Sequence, residues 1–152
     1  MYTIPQLLGA ARVSYVPYKS FQQIYLTKAN QLVGTYKDLC NFRDRGADYK
    51  GWEVHHIVED QDLDRLGIRN LQPAYNLQVC VLIPWSAHQK RVNSIFRNQN
   101  PSSLSATVQQ LRAAYRDAYS MMGDYCGGGE FGIRSELMSI FDAVMRTSGL
   151  PA

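Results

Sequence analysis

The segment that most limits the fold is residues 77–83, LQVCVLI, an apolar and β-branched run that Pro84 brings to a stop. Such a run reads as a β-strand, because branched side chains suit a pleated surface and proline cannot continue the ladder. A second strand is expected over residues 52–58, WEVHHIV. Between them, residues 61–66 have the length of a short helical turn, closed by Gly67. Most other segments carry a helical period. In residues 18–40 the side chains of Phe21, Ile24, Tyr25, Leu32, Val33, Tyr36 and Leu39 recur at three and four, which predicts an amphipathic helix that Gly34 weakens in its second half. Residues 41–50 are polar and read as a loop. Ser86 is placed to cap a helix over residues 87–97, and residues 98–103, NQNPSS, form a turn and a new helix start. Leu104, Val108, Leu111, Tyr115 and Tyr119 share one face of a helix over residues 104–122. A last helix over residues 133–145 turns Leu137, Ile140, Phe141 and Val144 inward. The glycines at 127–129 read as a joint rather than a phosphate loop, since no strand precedes them.

The expected fold is therefore α+β and mostly helical. It is one domain over residues 1–152, with a hairpin-and-helix core at 51–97 and a helical surround at 1–50 and 98–152. With 152 residues, 45% hydrophobic and 19% charged, the chain can bury a core of its own and is neither a disordered tail nor a coiled coil. Its apolar runs are too short for a membrane span. The start, MYTIPQLLGAARVSY, lacks the basic and apolar regions of a signal peptide. Cys40, Cys80 and Cys126 are odd in number and widely spaced, which fits neither a disulfide framework nor a zinc knuckle.

Charge is unevenly spread. Glu53, Glu59, Asp60, Asp62 and Asp64 fall in a stretch without Lys or Arg, whereas residues 65–116 hold Arg65, Arg69, Lys90, Arg91, Arg97, Arg112 and Arg116 and no acid. An acidic block beside an acid-free basic one suits a metal-using enzyme of a polyanion, the bases holding phosphates; a solvated helix face is the plainer reading. The histidines are His55, His56 and His88. Neighbours on a strand point to opposite faces, so His55 and His56 cannot share a task. One can hold a metal with His88 while the other faces a substrate and takes a proton.

The segment VHHIVEDQDLDRLGIRNLQPAYNLQVCVLIPWSAHQKRVN resembles the HNH nuclease motif of the ββα-metal (His-Me finger) superfamily, in the divergent forms found in bacterial polymorphic toxins and colicin-type DNases. The pattern is a strand ending in His-His and an apolar residue (His55, His56, Ile57), then a loop, an Asn (Asn76), a second strand and a helix that begins near a metal-binding His (His88). The resemblance covers about 40 of the 152 residues. It implies that His55 and His88 ligate a metal, that His56 is the general base, and that Asn76 braces the loop and orients His56. Arg91, three residues beyond His88, would hold the scissile phosphate, with Lys90, Arg97 and Arg69 on the flanking backbone. Val92 stands where colicin-like members place a third metal histidine. Asn93 follows it, about 140° around the helix from His88, and Glu59 stands near where the family often has proline; both are candidates for ligating or orienting roles.

The implied activity is metal-dependent hydrolysis of DNA, with RNA as the second choice. The implied cofactor is one divalent ion, Mg²⁺, Mn²⁺, Ni²⁺ or Zn²⁺. The resemblance further implies an antibacterial toxin module of a secretion-system effector or bacteriocin, acting in the target-cell cytoplasm and covered before delivery by an acidic immunity protein. Two other classes stand beside it: a non-catalytic nucleic-acid-binding module and a protein-interaction module. Trp52, Trp85 and the ten tyrosines read as core first and as base-stacking platforms second.

Overall fold

Among the described residues, five short strands form the centre of the fold. The computed structural model describes residues 1–19, 23–84, 107–126 and 133–150, with the side chains of all but 121–126. The strands are β1 (Tyr15–Pro17), β2 (Ile24–Thr27), β3 (Leu32–Thr35), β4 (Trp52–His56) and β5 (Val79–Pro84). Among the described residues the helices are α1 (Ile4–Ala10), α2 (Tyr36–Asp44), α3 (Asp60–Arg65), α4 (Val108–Cys126) and α5 (Ser135–Thr147). Every pairing is antiparallel and the order is β1-β2-β3-β5-β4. The α+β class agrees with the sequence, but the sheet is larger than the small hairpin expected from it.

The difference lies in residues 18–40. Where one helix was expected, the structure has the β2–β3 hairpin and the start of α2, with residues 20–22 outside the described residues. Apolar spacing of three and four is also met by two four-residue strands around a tight turn. Asn30 sits in the turn at φ +62°, and the Thr27 N–H donates to the Gln31 carbonyl at 2.9 Å. That turn interrupts any helix, and α2 begins only after Thr35, whose side chain caps it by accepting from the Asp38 N–H at 3.2 Å. The expected loop at 41–50 is accordingly helical through Asp44. Helix α1, opened by a Thr3–Gln6 capping box, and strand β1 were not anticipated. The other described elements lie within a few residues of expectation. The helix at 87–97, the turn at 98–103 and the glycine joint fall outside the described residues.

Alternation along the strands divides the core between two faces. Val33, Val79, Val81 and Ile83 pack with α1, α4 and α5, including buried Tyr115, Tyr119 and Phe141. Ile24, Leu32, Val54, Cys80 and Leu82 face the other way, against Leu39 of α2. Gly34 is where α2 and the loop before β2 crowd β3 most closely. A Cβ there would lie 2.8 Å from the Gln23 carbonyl oxygen and 3.4 Å from Leu39 Cγ. Backbone cannot move aside as a side-chain tip can, so Gly34→Ala should destabilise the fold by about 2 kcal/mol in urea denaturation.

Glu136 ties α5 to the β2–β3 turn. Its carboxylate accepts from Thr27 Oγ1 at 2.5 Å and from the Ala29 N–H at 3.1 Å. Burial raises its pKa above the ordinary value, against the lowering effect of these two bonds. The folded state therefore holds this proton more tightly than the unfolded chain, and the contribution is lost as pH rises through the raised pKa. Glu136→Gln should gain stability relative to wild type between pH 4 and pH 7, as read by paired urea denaturation curves.

Candidate active site

The site begins at the end of β4, which among the described residues pairs with β5 alone, at one edge of the sheet. His55 is opposite Val81 and His56 opposite Cys80, so the two rings leave the strand on opposite faces, as the sequence predicts. His55 turns toward α4, where its Nε2 lies 2.9 Å from the Tyr119 hydroxyl. His56 turns toward α2. Its ring stacks on Tyr36 at 4.9 Å between centroids, 26° from parallel, and meets the tilted ring of Tyr75 at 4.3 Å. The His56 Nε2 lies 3.2 Å from the Tyr75 carbonyl oxygen. A carbonyl can only accept, so Nε2 carries the proton and the lone pair of the neutral ring is on Nδ1. Burial lowers the His56 pKa from its ordinary value, the Tyr75 carbonyl and Asp60 acting in the opposite direction. At neutral pH the ring is therefore neutral.

Both histidines border a cleft of about 300 Å³ together with Tyr36, Glu59, Asp60 and Tyr75. The segment after β4 supplies the two acids, and α4 fixes that segment from below. The Glu59 N–H donates to the Tyr115 hydroxyl at 2.8 Å, which donates to Asp62 Oδ2 at 2.5 Å. The Tyr119 hydroxyl donates to the Ile57 carbonyl at 2.6 Å. Asp62 is fully buried and its other oxygen takes Arg65 at 2.6 Å. Burial raises the Glu59 pKa, while a hydrogen bond from Gln61 lowers it. Asp60 accepts from Gln78 Nε2 at 3.3 Å and pairs with Arg69 at 2.9 Å.

The structure thus brings together His55, His56 and Glu59. Asn76 is exposed on the 3-10 turn Tyr75–Leu77 beside the site, and the group that meets the His56 ring nitrogen is the carbonyl one residue earlier. Arg69 was expected on a phosphate, but its guanidinium is engaged by Asp60 and, at 3.7 Å, by Asp64. Two further bases of the acid-free stretch are similarly paired, Arg65 with Asp62 and Arg112 with Asp142. The basic block thus finds part of its counter-charge inside the protein. His88, Lys90, Arg91, Asn93 and Arg97 lie outside the described residues, as do Trp85 and Val92. Cys80 is buried, and burial pushes its thiol well above the ordinary pKa, which leaves it a packing residue.

A neutral imidazole and two carboxylates on one cleft are donors that suit a divalent cation. Among the described residues, no group of three or more His, Cys, Asp or Glu side chains gathers closely enough to hold one, and the expected ligand His88 lies outside them.

Sequence reasoning missed Tyr36 and Tyr75 as the walls around His56, and Tyr115 and Tyr119 as the brace of His55 and the segment that follows β4. The signal for the brace was present. Tyrosines four apart on a buried helix face each bring a hydroxyl that must find a partner. The chain matches no protein-family model, no curated protein and no solved structure.

Proposed function

We propose that this chain is a metal-dependent endonuclease of the HNH type that hydrolyses DNA, with RNA as the alternative substrate. The observation that carries the reading is His56: a buried, neutral imidazole at a cleft, with Nε2 tied to a carbonyl and the lone pair on Nδ1. In the reaction His56 Nδ1 takes a proton from the attacking water. The rings of Tyr36 and Tyr75 hold the imidazole in one plane, so no rotation is needed before the transfer. Asp60 faces the imidazolium that results and favours its charge. Arg91 would hold the scissile phosphate. A divalent ion bound by His55 and His88 would supply the charge that stabilises the pentavalent phosphorus and the leaving 3′ oxygen.

The toxin setting and the acidic immunity partner rest on the sequence resemblance. They are tested by expressing the wild-type chain in a bacterial cytoplasm beside His56→Ala, where toxicity should follow the wild type alone. The activity is tested by plasmid nicking with Mg²⁺, Mn²⁺, Ni²⁺ or Zn²⁺, each with and without EDTA, and by the same assay on RNA. Val92, at the position of the family's third ligand, favours a second reading in which the fold grips nucleic acid without cutting it. Salt-dependent binding without cleavage of either polymer would select that reading.

A further inference from the structure

We propose that Arg12, Ser139 and Arg146 form a binding site for a phosphate group in a second cleft, where the end of α1 meets α5. This cleft is about 410 Å³, is lined by Ala10, Ala11 and those three side chains, and shares no residue with the cleft that holds His56. Two guanidinium groups and a hydroxyl can all donate to one anion, and the planar fork of arginine matches the oxygens of a phosphate.

The backbone at Arg12 gives the first reason. Helix α1 closes with the Arg12 N–H on the Gly9 carbonyl at 3.1 Å and the Val13 N–H on the Leu8 carbonyl at 3.0 Å. That closure sets the residue after the C-cap Ala11 in the left-handed region, and Arg12 stands there at φ +58°. Glycine or asparagine is the usual occupant, because a Cβ is crowded in that conformation. The arginine costs backbone strain that glycine would avoid, and the side chain it adds borders the cleft.

Charge gives the second. Arg43, Arg65, Arg69 and Arg112 each pair with an aspartate, whereas Arg12 and Arg146 pair with no acid among the described residues. Arg146 Nη2 donates to the Ala10 carbonyl at 3.1 Å, which fixes the guanidinium beside the cleft and spends only one of its donors. Helix α1 carries no acid, and the two acids of α5 are engaged elsewhere, Glu136 by Thr27 and Ala29 and Asp142 by Arg112. Ser139 lies about two turns before Arg146 on the same helix. It is half-buried, and its hydroxyl makes no hydrogen bond with the described residues. Positive charge without counter-charge in a concave site concentrates anions.

A free phosphate or phosphomonoester and the backbone of a nucleic acid share this chemistry. Titrations followed by ¹⁵N-resolved amide shifts of Arg12, Ser139 and Arg146, at constant ionic strength and with EDTA present, separate the two sources. One arm uses inorganic phosphate, the other a short single-stranded oligonucleotide without terminal phosphates. Saturable shifts are expected. In the first arm alone they assign a free phosphate or monoester, in the second alone a phosphodiester backbone, and in both a site open to either. The outcome does not depend on cleavage or on a metal, so it stands or falls apart from the nuclease reading. Arg12→Gly suits the left-handed conformation and should keep its thermal midpoint within about 3 °C of wild type. It should weaken binding at least about 10-fold, and Ser139→Ala about 3-fold. A folded Arg12→Gly that binds as tightly as wild type overturns the proposal, as does the absence of saturable shifts in both arms.

Discussion

His56→Ala should reduce phosphodiester cleavage by about 10³-fold, within the range that a positioned general base contributes. The effect should fall on turnover rather than on nucleic-acid binding, because the ring is buried between Tyr36 and Tyr75 and acts through Nδ1. The fold should survive. The substitution takes a stacking partner from Tyr36 but leaves the buried apolar residues of both core clusters in place. Circular dichroism and the thermal midpoint, measured beside single-turnover cleavage, separate loss of chemistry from loss of structure.

The largest effect on stability is expected at Asp62. This carboxylate is fully buried, accepts the hydroxyl of fully buried Tyr115 at 2.5 Å and holds Arg65 at 2.6 Å. Asp62→Ala would leave the tyrosine hydroxyl without its acceptor and part-buried Arg65 without its counter-ion. Breaking a buried charged network from one side costs about 3 kcal/mol or more. Guanidinium denaturation should show that loss. Tyr115→Phe should cost less: it takes the acceptor from the Glu59 N–H but leaves Asp62 its bond to Arg65. Equal losses in the two variants would mean that the Asp62–Tyr115 bond carries the effect and that the arginine contributes little.

The parts of the fold that were legible in the sequence are those with a single dominant pattern. Residues 77–83 could be little other than a strand, and the alternation of His55 and His56 followed from strand geometry as soon as they were placed on one. The buried stripe of α5, including Leu137, Ile140, Phe141 and Val144, gave a helix with few competitors. Residues 18–40 failed because the period was ambiguous. Ile24, Tyr25, Leu32 and Val33 satisfy a helical spacing, and equally two short strands joined at Asn30. Only the tertiary context decides, since β3 has β5 to pair with along Leu32–Thr35.

The site was half legible for a related reason. A motif names residues expected to act on a substrate, here His55 and His56. It does not name those that hold them, because these come from wherever the fold brings a hydroxyl or a ring. Tyr36 reaches His56 from α2, Tyr75 from the loop before β5, and Tyr119 reaches His55 from a helix far along the chain. The charge reading shows the same limit. Arg69 looked like a phosphate ligand in an acid-free stretch, yet its partners Asp60 and Asp64 stand just before that stretch and fold back onto it.

The central claim is that a neutral His56 at this cleft activates water against a phosphodiester. The measurement that tests it most directly is plasmid nicking by the purified wild-type chain in each divalent ion, with and without EDTA, beside folded His56→Ala. The account predicts nicking that EDTA stops and that the variant loses, or the same pattern on RNA if DNA is left intact. Cleavage retained by folded His56→Ala would contradict the assignment of the base, and no cleavage of either polymer in any ion would contradict the nuclease itself.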